Sequence, residues 1–228
     1  MFQNKLSPLP AEDLKQFDFL FALVKENMGF IPNSMKTMAR VPSLLGSFAG
    51  LSGGLLAHPD KMSPWTAIKL NLKNMAWSAK FVKSPDRVPL YHRNLVSYMS
   101  SKAGGCIYCQ AHTAEQAFHN GVPEDKMKAL WEFETHDAFD EGERAALRFA
   151  LAAGTQPNQV TDQHFVDLRQ HFTEAQIVEL GGIIALFGFL NRWNDTFATT
   201  LEAQPKAMAE LLLAPQGWSA GKLSLIHI

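Results

Sequence analysis

The chain has 228 residues, 46% hydrophobic and 19% charged, enough to bury a full core as one large domain or two small ones. A formal net charge of −1 excludes an electrostatic case for nucleic acid or an anionic membrane as partner. The eight histidines are scattered, without a metal-site spacing such as HExxH.

Met1 to Leu14 has no apolar run followed by a cleavage site, so a reducing, cytoplasmic location is expected. From there on apolar residues recur with a helical period, and strand-like alternation is scarce. Leu14, Phe17, Leu20, Phe21 and Val24 form one face, and Gly29 is a C-terminal stop. Asn33 or Ser34 is expected to cap a short helix, and Pro42 to open another that runs to Leu56. Ser63 as N-cap with Pro64 behind it starts a helix to about Phe81. After the break at Lys83–Arg87, a helix is expected from about Pro89 to Lys102. Gly104-Gly105 interrupts it, and a helix carrying both cysteines ends at Asn120-Gly121.

Pro123 opens a segment expected to be helical to about Glu134. Asp140 and Glu143 have capping-box spacing for a helix through Ala153, and Thr161 caps one ending near His171. Thr173 and Gln176 form a second box, opening a helix to about Leu201. Its apolar stretch Ile177–Leu190 contains Glu179, so it is expected to be a core helix rather than a membrane span. The expected fold is all-α, with about ten helices. Lys61–Gly121 and Asp140–Leu201 each contain long helices, which allows an internal duplication. One DNA sequence able to encode Leu223–Ile228 is the mosaic end of transposon-based sequencing libraries. The segment is expected to be a translated adapter, leaving the native C-terminus open.

The only two cysteines, Cys106 and Cys109, are three residues apart. On a helix such a pair meets on one face, within disulfide reach, so it can cycle between dithiol and disulfide. As a purely structural disulfide it would restrict the unfolded chain little. His112 lies one turn beyond Cys109, and imidazole can take a thiol proton near neutral pH. Gly104-Gly105 places both cysteines in the first turn of that helix, where the helix dipole also favours an anion. Zinc and iron–sulfur sites usually need four ligands, and no second cysteine pair exists. Covalent haem attachment needs histidine where Gln110 stands. Inert core cysteines are the bland alternative.

Arg93-Asn-Leu-Val96 followed by Gly105-Cys-Ile-Tyr-Cys-Gln-Ala-His-Thr113 resembles the alkyl hydroperoxidase D (AhpD)-like branch of the carboxymuconolactone decarboxylase family. Phe172–Glu179 and Phe189–Asp195 are similar to that family's second conserved region, and Gly29–Asn33 and Val41–Leu45 to its peroxidase-related members. The resemblance covers roughly residues 28–205, between an N-terminal helix (1–27) and a C-terminal segment (206–222). It implies an AhpD-like helical fold in trimers or hexamers, with no bound cofactor. It also implies antioxidant thiol peroxidase activity on a hydroperoxide, with a lipoyl protein or thioredoxin as external dithiol donor. By the same resemblance Cys109 attacks peroxide and Cys106 resolves the sulfenic acid. Where relatives often carry a relay glutamate, twelve residues before the first cysteine, this chain has Asn94, which cannot accept a proton.

Glu115, one turn past His112, is either an orienting carboxylate or a solvated charge. His92 and Tyr98 are either near the thiols or structural. Asn191, Arg192 and Asp195 are expected in a buried polar network or an oligomer contact. Trp65, Trp77, Trp131 and Trp193 are expected in the core or an interface. Two other functions fit the pattern less well: a redox sensor or assembly subunit without fast turnover, and a lyase of the muconolactone decarboxylase type, which does not depend on a cysteine pair.

Overall fold

The computed structural model describes residues 5–6, 9–56 and 63–221, excepting the Asn27 side chain. Leu223–Ile228 lies outside the described residues. The described residues are helical and contain no strand, as the apolar periodicity requires. In chain order the helices are α1 (Ala11–Leu14), α2 (Asp18–Met28), α3 (Asn33–Met38), α4 (Pro42–Leu56), α5 (Pro64–Val82) and α6 (Leu90–Ala103). There follow α7 (Ile107–His119), α8 (Glu124–Lys128), α9 (Glu141–Gly154), α10 (Asp162–Leu168), α11 (Glu174–Thr196) and α12 (Ala203–Leu213).

Capping chemistry sets several of these boundaries. Gly29 closes α2 at φ +81°, a left-handed value that costs other residues energy. Ser63 Oγ accepts the Thr66 N–H and Pro64 opens α5. The Asp140–Glu143 box is formed in both directions, and so is the Thr173–Gln176 box. Three expectations need correction. Asn33 is the first residue of α3, behind Pro32, and caps nothing. The helix after Pro123 ends at Lys128 and passes into a 3₁₀ turn at Leu130–Glu132. The long helix stops at Thr196, five residues before Leu201.

The chain divides into two compact units, which do not coincide with the two sequence segments read as a possible duplication. The first comprises the chain up to Arg87 together with Thr173–Glu179. Its core gathers Phe17, Leu20, Phe21, Met35, Leu45, Leu70 and Trp77, with the Phe17 and Trp77 rings 5.1 Å apart. Arg40, its side chain almost fully buried, pairs with Glu174.

The second unit comprises Val88–Phe172 and the chain from Leu180 onward. Here α6 packs on both α7 and α9, and α7 packs on α12. Ala111, Ala114 and Ala117 give α7 a fully buried face of small side chains, which lets its neighbours approach closely. The α9 side of this core is built from Ala146, Leu147 and Ala150.

The C-terminal part of α11 departs from the expected core helix. Only 33% of its most apolar window is buried, and Leu186, Phe189 and Trp193 are exposed. Apolar residues occur all round this helix, so packing on one side leaves others uncovered. Among the described residues it is the one helix long and apolar enough to cross a membrane.

Leu147 is fully buried. Leu147→Ala removes packed atoms without a replacement and should cost about 2–5 kcal/mol, read as a lower urea midpoint with an unchanged slope.

Candidate active site: a dithiol at a helix junction

Cys106 belongs to two helices at once. At the end of α6, Gly105 N–H donates to the Lys102 carbonyl and Cys106 N–H to the Ser101 carbonyl, a Schellman closure. That closure needs a left-handed residue, and Gly105 supplies it at φ +70°. Cys106 is then the N-cap of α7, its Sγ accepting the Cys109 N–H at 3.2 Å. The sequence had placed both cysteines inside the first turn, whereas Cys106 caps that turn. Asn191 Nδ2 donates to the Ser100 carbonyl at 3.2 Å, and Gly104 leaves the room its side chain needs. The expected polar role of Asn191 is thus to hold the end of α6.

The two thiols are free and buried, with sulfurs 2.7 Å apart. They behave as one coupled acid. The Cys109 thiol beside it, and then the Cys109 backbone N–H, pull the Cys106 thiol below its ordinary range despite burial. The hydrogen bond to Cys106, burial and the charge on Cys106 all push Cys109 upward. Loss of one proton from the pair is thereby favoured, and loss of the second opposed.

Cys109, but not Cys106, lines an open cleft of about 740 Å³. Tyr108, Phe187, Leu190 and Trp193 form its apolar walls, and His112, Glu115, His119 and Gln204 its polar part. Asn194, also in the cleft, points Nδ2 at Cys109 Sγ from 3.4 Å. His112 Nε2 lies 2.8 Å from Glu202 Oε2, and Tyr108 donates to Glu202 Oε1 at 3.2 Å. The Tyr108 and His112 rings lie against each other, with centroids 4.2 Å apart.

The other sequence candidates separate. Glu115 lines the cleft but stands 3.6 Å from His119 Nε2. Asn94 is buried away from the cleft residues and accepts the Asn120 amide at 3.2 Å. Tyr98 is buried in α6, where desolvation pushes its phenol well above the usual range. His92 packs edge-on against Phe172, and burial lowers its pKa despite Glu143 and Asp140 nearby. His92, Asp140 and Glu143 bring ligand-type atoms within 4.8 Å of one another, the one such group among the described residues. Lys126 Nζ, 2.7 and 2.8 Å from the Glu143 oxygens, already meets that carboxylate's charge. Sequence reasoning missed Glu202 and Asn194. Asn194 sits in the quoted Phe189–Asp195 motif, where its neighbours Asn191 and Asp195 drew the attention. Glu202 is 90 residues from His112 and carries no local signal.

Fold and site together define an all-α protein with an AhpD-like cysteine motif at a helix junction. No family model matches the chain. The uncharacterized protein YnjA of Escherichia coli (strain K12) is 29% identical over 103 residues, 45% of this chain and 57% of YnjA, so the match spans little more than half of that relative. Among solved structures, the apo form of the debrominase Bmp8 is 31% identical, with a TM-score of 0.55, over 90% of this chain and 96% of Bmp8. A cysteine-to-alanine variant of Bmp8 in complex with 2,3,4-tribromopyrrole is similar at 30% identity and TM-score 0.55, over 92% of this chain and 98% of that one. The chain belongs to the family of the debrominase Bmp8.

The coupled thiols set a pH dependence. Because the Cys106 pKa is lowered, the thiolate is present below the ordinary thiol value of about 8.5 and is lost as pH falls through the lower value. Single alkylation by iodoacetamide, followed by mass spectrometry, should show a midpoint below about 8.5. Cys109→Ala removes the largest cause and should move that midpoint upward.

Proposed function

We propose that this chain is a thiol-dependent reductase whose Cys106–Cys109 dithiol delivers two electrons to a small molecule in the α7–α11 cleft, with a hydroperoxide as substrate. One observation carries the reading: two free thiols with sulfurs 2.7 Å apart, one of which lines the cleft. The pair can become a disulfide without moving a helix.

In the peroxide cycle Cys109 is the nucleophile, the role its resemblance to AhpD-like proteins implies. The lowered pKa of Cys106 points the other way, and the short contact reconciles the two. When the remaining proton sits on Cys106, the anion is on Cys109, facing the cleft and the Asn194 amide. The Cys109 thiolate attacks the terminal peroxide oxygen, and the O–O bond breaks. The leaving alkoxide takes a proton, which His112 in the same cleft can supply, and departs as the alcohol. Cys109 is left as a sulfenic acid. Cys106 sulfur attacks it, water leaves, and the disulfide closes. Two thiols and one hydroperoxide thus give a disulfide, an alcohol and water. An external dithiol donor, a lipoyl protein or thioredoxin, returns the two electrons.

A second reading is reductive debromination of a pyrrole-like ring. It is supported by kinship with Bmp8 and by the aromatic cleft walls Tyr108, Phe187 and Trp193. The electron count is the same: the C–Br bond becomes C–H, bromide and a proton leave, and the thiols form the disulfide.

Anaerobic incubation of the reduced chain with cumene hydroperoxide or 2,3,4-tribromopyrrole, with dihydrolipoamide as donor, tests both readings. Peroxide consumption with a Cys106–Cys109 disulfide in the peptide map is expected, and Cys109→Ser should fall to the uncatalysed rate. Bromide release that outpaces peroxide consumption transfers the activity to the second reading. Consumption unchanged in Cys109→Ser overturns the site. A reversible disulfide without turnover on either substrate makes the chain a redox sensor.

A further inference from the structure

The cysteine motif lacks a carboxylate at Asn94, yet a carboxylate from elsewhere in the chain reaches two of the cleft residues. Glu202 is the N-cap residue of α12, and α12 packs directly on α7. Ala209 and Leu212 of α12 are fully buried, and so is the alanine face of α7. The packing brings both Glu202 oxygens to residues of α7, Oε1 to the Tyr108 hydroxyl at 3.2 Å and Oε2 to His112 Nε2 at 2.8 Å.

Donor and acceptor roles here are forced. Burial tends to raise the Glu202 pKa, but its own backbone N–H, His112 and Tyr108 outweigh it, so the group stays below the ordinary carboxylate range. An ionised carboxylate accepts and never donates. The Tyr108 phenol is pushed up to about 12 by burial and by Glu202, so it keeps its proton and donates. His112 Nε2 must then also donate, which places its proton on Nε2 and leaves Nδ1 as the basic nitrogen. The Tyr108 ring, 4.2 Å from the imidazole, restricts its rotation from the side. Glu202 thus holds His112, and His112 shares the cleft with Cys109 one helical turn away.

The geometry points to Glu202 as the positioning residue for His112, holding it in the Nε2–H tautomer so that Nδ1 faces the proton traffic of the dithiol. Glu202 thus supplies from α12 the carboxylate that the motif does not carry at position 94. The inference deepens the dithiol reading above, and its test does not need that reading's substrate.

The test uses the full chain, labelled with ¹⁵N-histidine, as wild type, Glu202→Ala, Tyr108→Phe, His112→Ala and the Glu202→Ala/His112→Ala pair. Glu202 is more than half exposed, so its loss should leave thermal unfolding nearly unchanged. At neutral pH the His112 ¹⁵N shifts should report Nε2–H in wild type and a tautomer mixture in Glu202→Ala, with Tyr108→Phe between them. Alkylation of the thiol pair by iodoacetamide should slow about tenfold in Glu202→Ala, less than the roughly 10²–10⁴-fold of an acid–base group itself, because Glu202 acts through His112. His112→Ala should slow it at least as much, and the double variant no further than His112→Ala alone. Unchanged His112 shifts in Glu202→Ala overturn the inference, and so do additive losses in the double variant. If the shifts move as expected but neither peroxide nor bromopyrrole is turned over, the positioning role stands and the reductase reading falls.

Discussion

A helix end leaves its last carbonyls unpaired, and a helix start leaves its first N–H groups unpaired. Between α6 and α7 the chain answers both needs with three residues. Gly105 takes the left-handed turn, the Cys106 N–H closes α6, and the Cys106 sulfur caps α7. The sulfur is therefore fixed by backbone hydrogen bonding rather than by a mobile side-chain rotamer. It faces the positive end of the α7 dipole and one of its free N–H groups, the surroundings in which a thiolate is stabilised. Cys109, one turn on, is brought to the same spot by helical spacing alone. The cysteine pair is a by-product of how two helices are joined.

That joint is supported from a distance. Asn191 of α11 covers a carbonyl of α6, and Gly104 is small because the Asn191 side chain occupies the space a Cβ would take. One turn further along α11, Asn194 reaches Cys109 Sγ. The two asparagines lie three residues apart on one helix face, one serving the scaffold and the other the thiol. On the opposite side α12 supplies Glu202 to His112 and Tyr108. Each reactive side chain of α7 thus has a partner from a helix about 85–94 residues away.

The cleft between these partners combines aromatic walls with a polar end. Such a site has room for a small apolar molecule beside the sulfur pair, and both proposed substrates, a hydroperoxide and a halogenated ring, are of that kind. In both proposed readings the same two thiols supply the same two electrons, so the cysteine pair does not distinguish them. Discrimination falls to the cleft walls and to the proton donor, where kinship with a debrominase and an AhpD-like cysteine motif meet in one chain.

What was legible in the sequence was local. Ser63–Pro64, Asp140–Glu143 and Thr173–Gln176 announce their helix starts because capping acts over three residues. Gly29 and Gly121 announce ends because few other residues tolerate a positive φ. The Cys106–Cys109 pair and His112 were visible for the same reason: helical spacing puts them on one face. That Asn94, Tyr98 and His92 do not line the cleft was not visible, since all three lie on α6 and its packing decides which of its sides meets α7. Nor was the partial exposure of α11, whose apolar residues mark no preferred side. The sequence by itself determined an all-helical chain with a dithiol at a helix start. Only the tertiary structure decided that Cys109 rather than Cys106 lines the cleft, and that Asn194 and Glu202 complete the site. The physical reason is range: caps and helix faces are set by neighbours three or four residues away, whereas these partners arrive by packing of α11 and α12, which no local rule encodes.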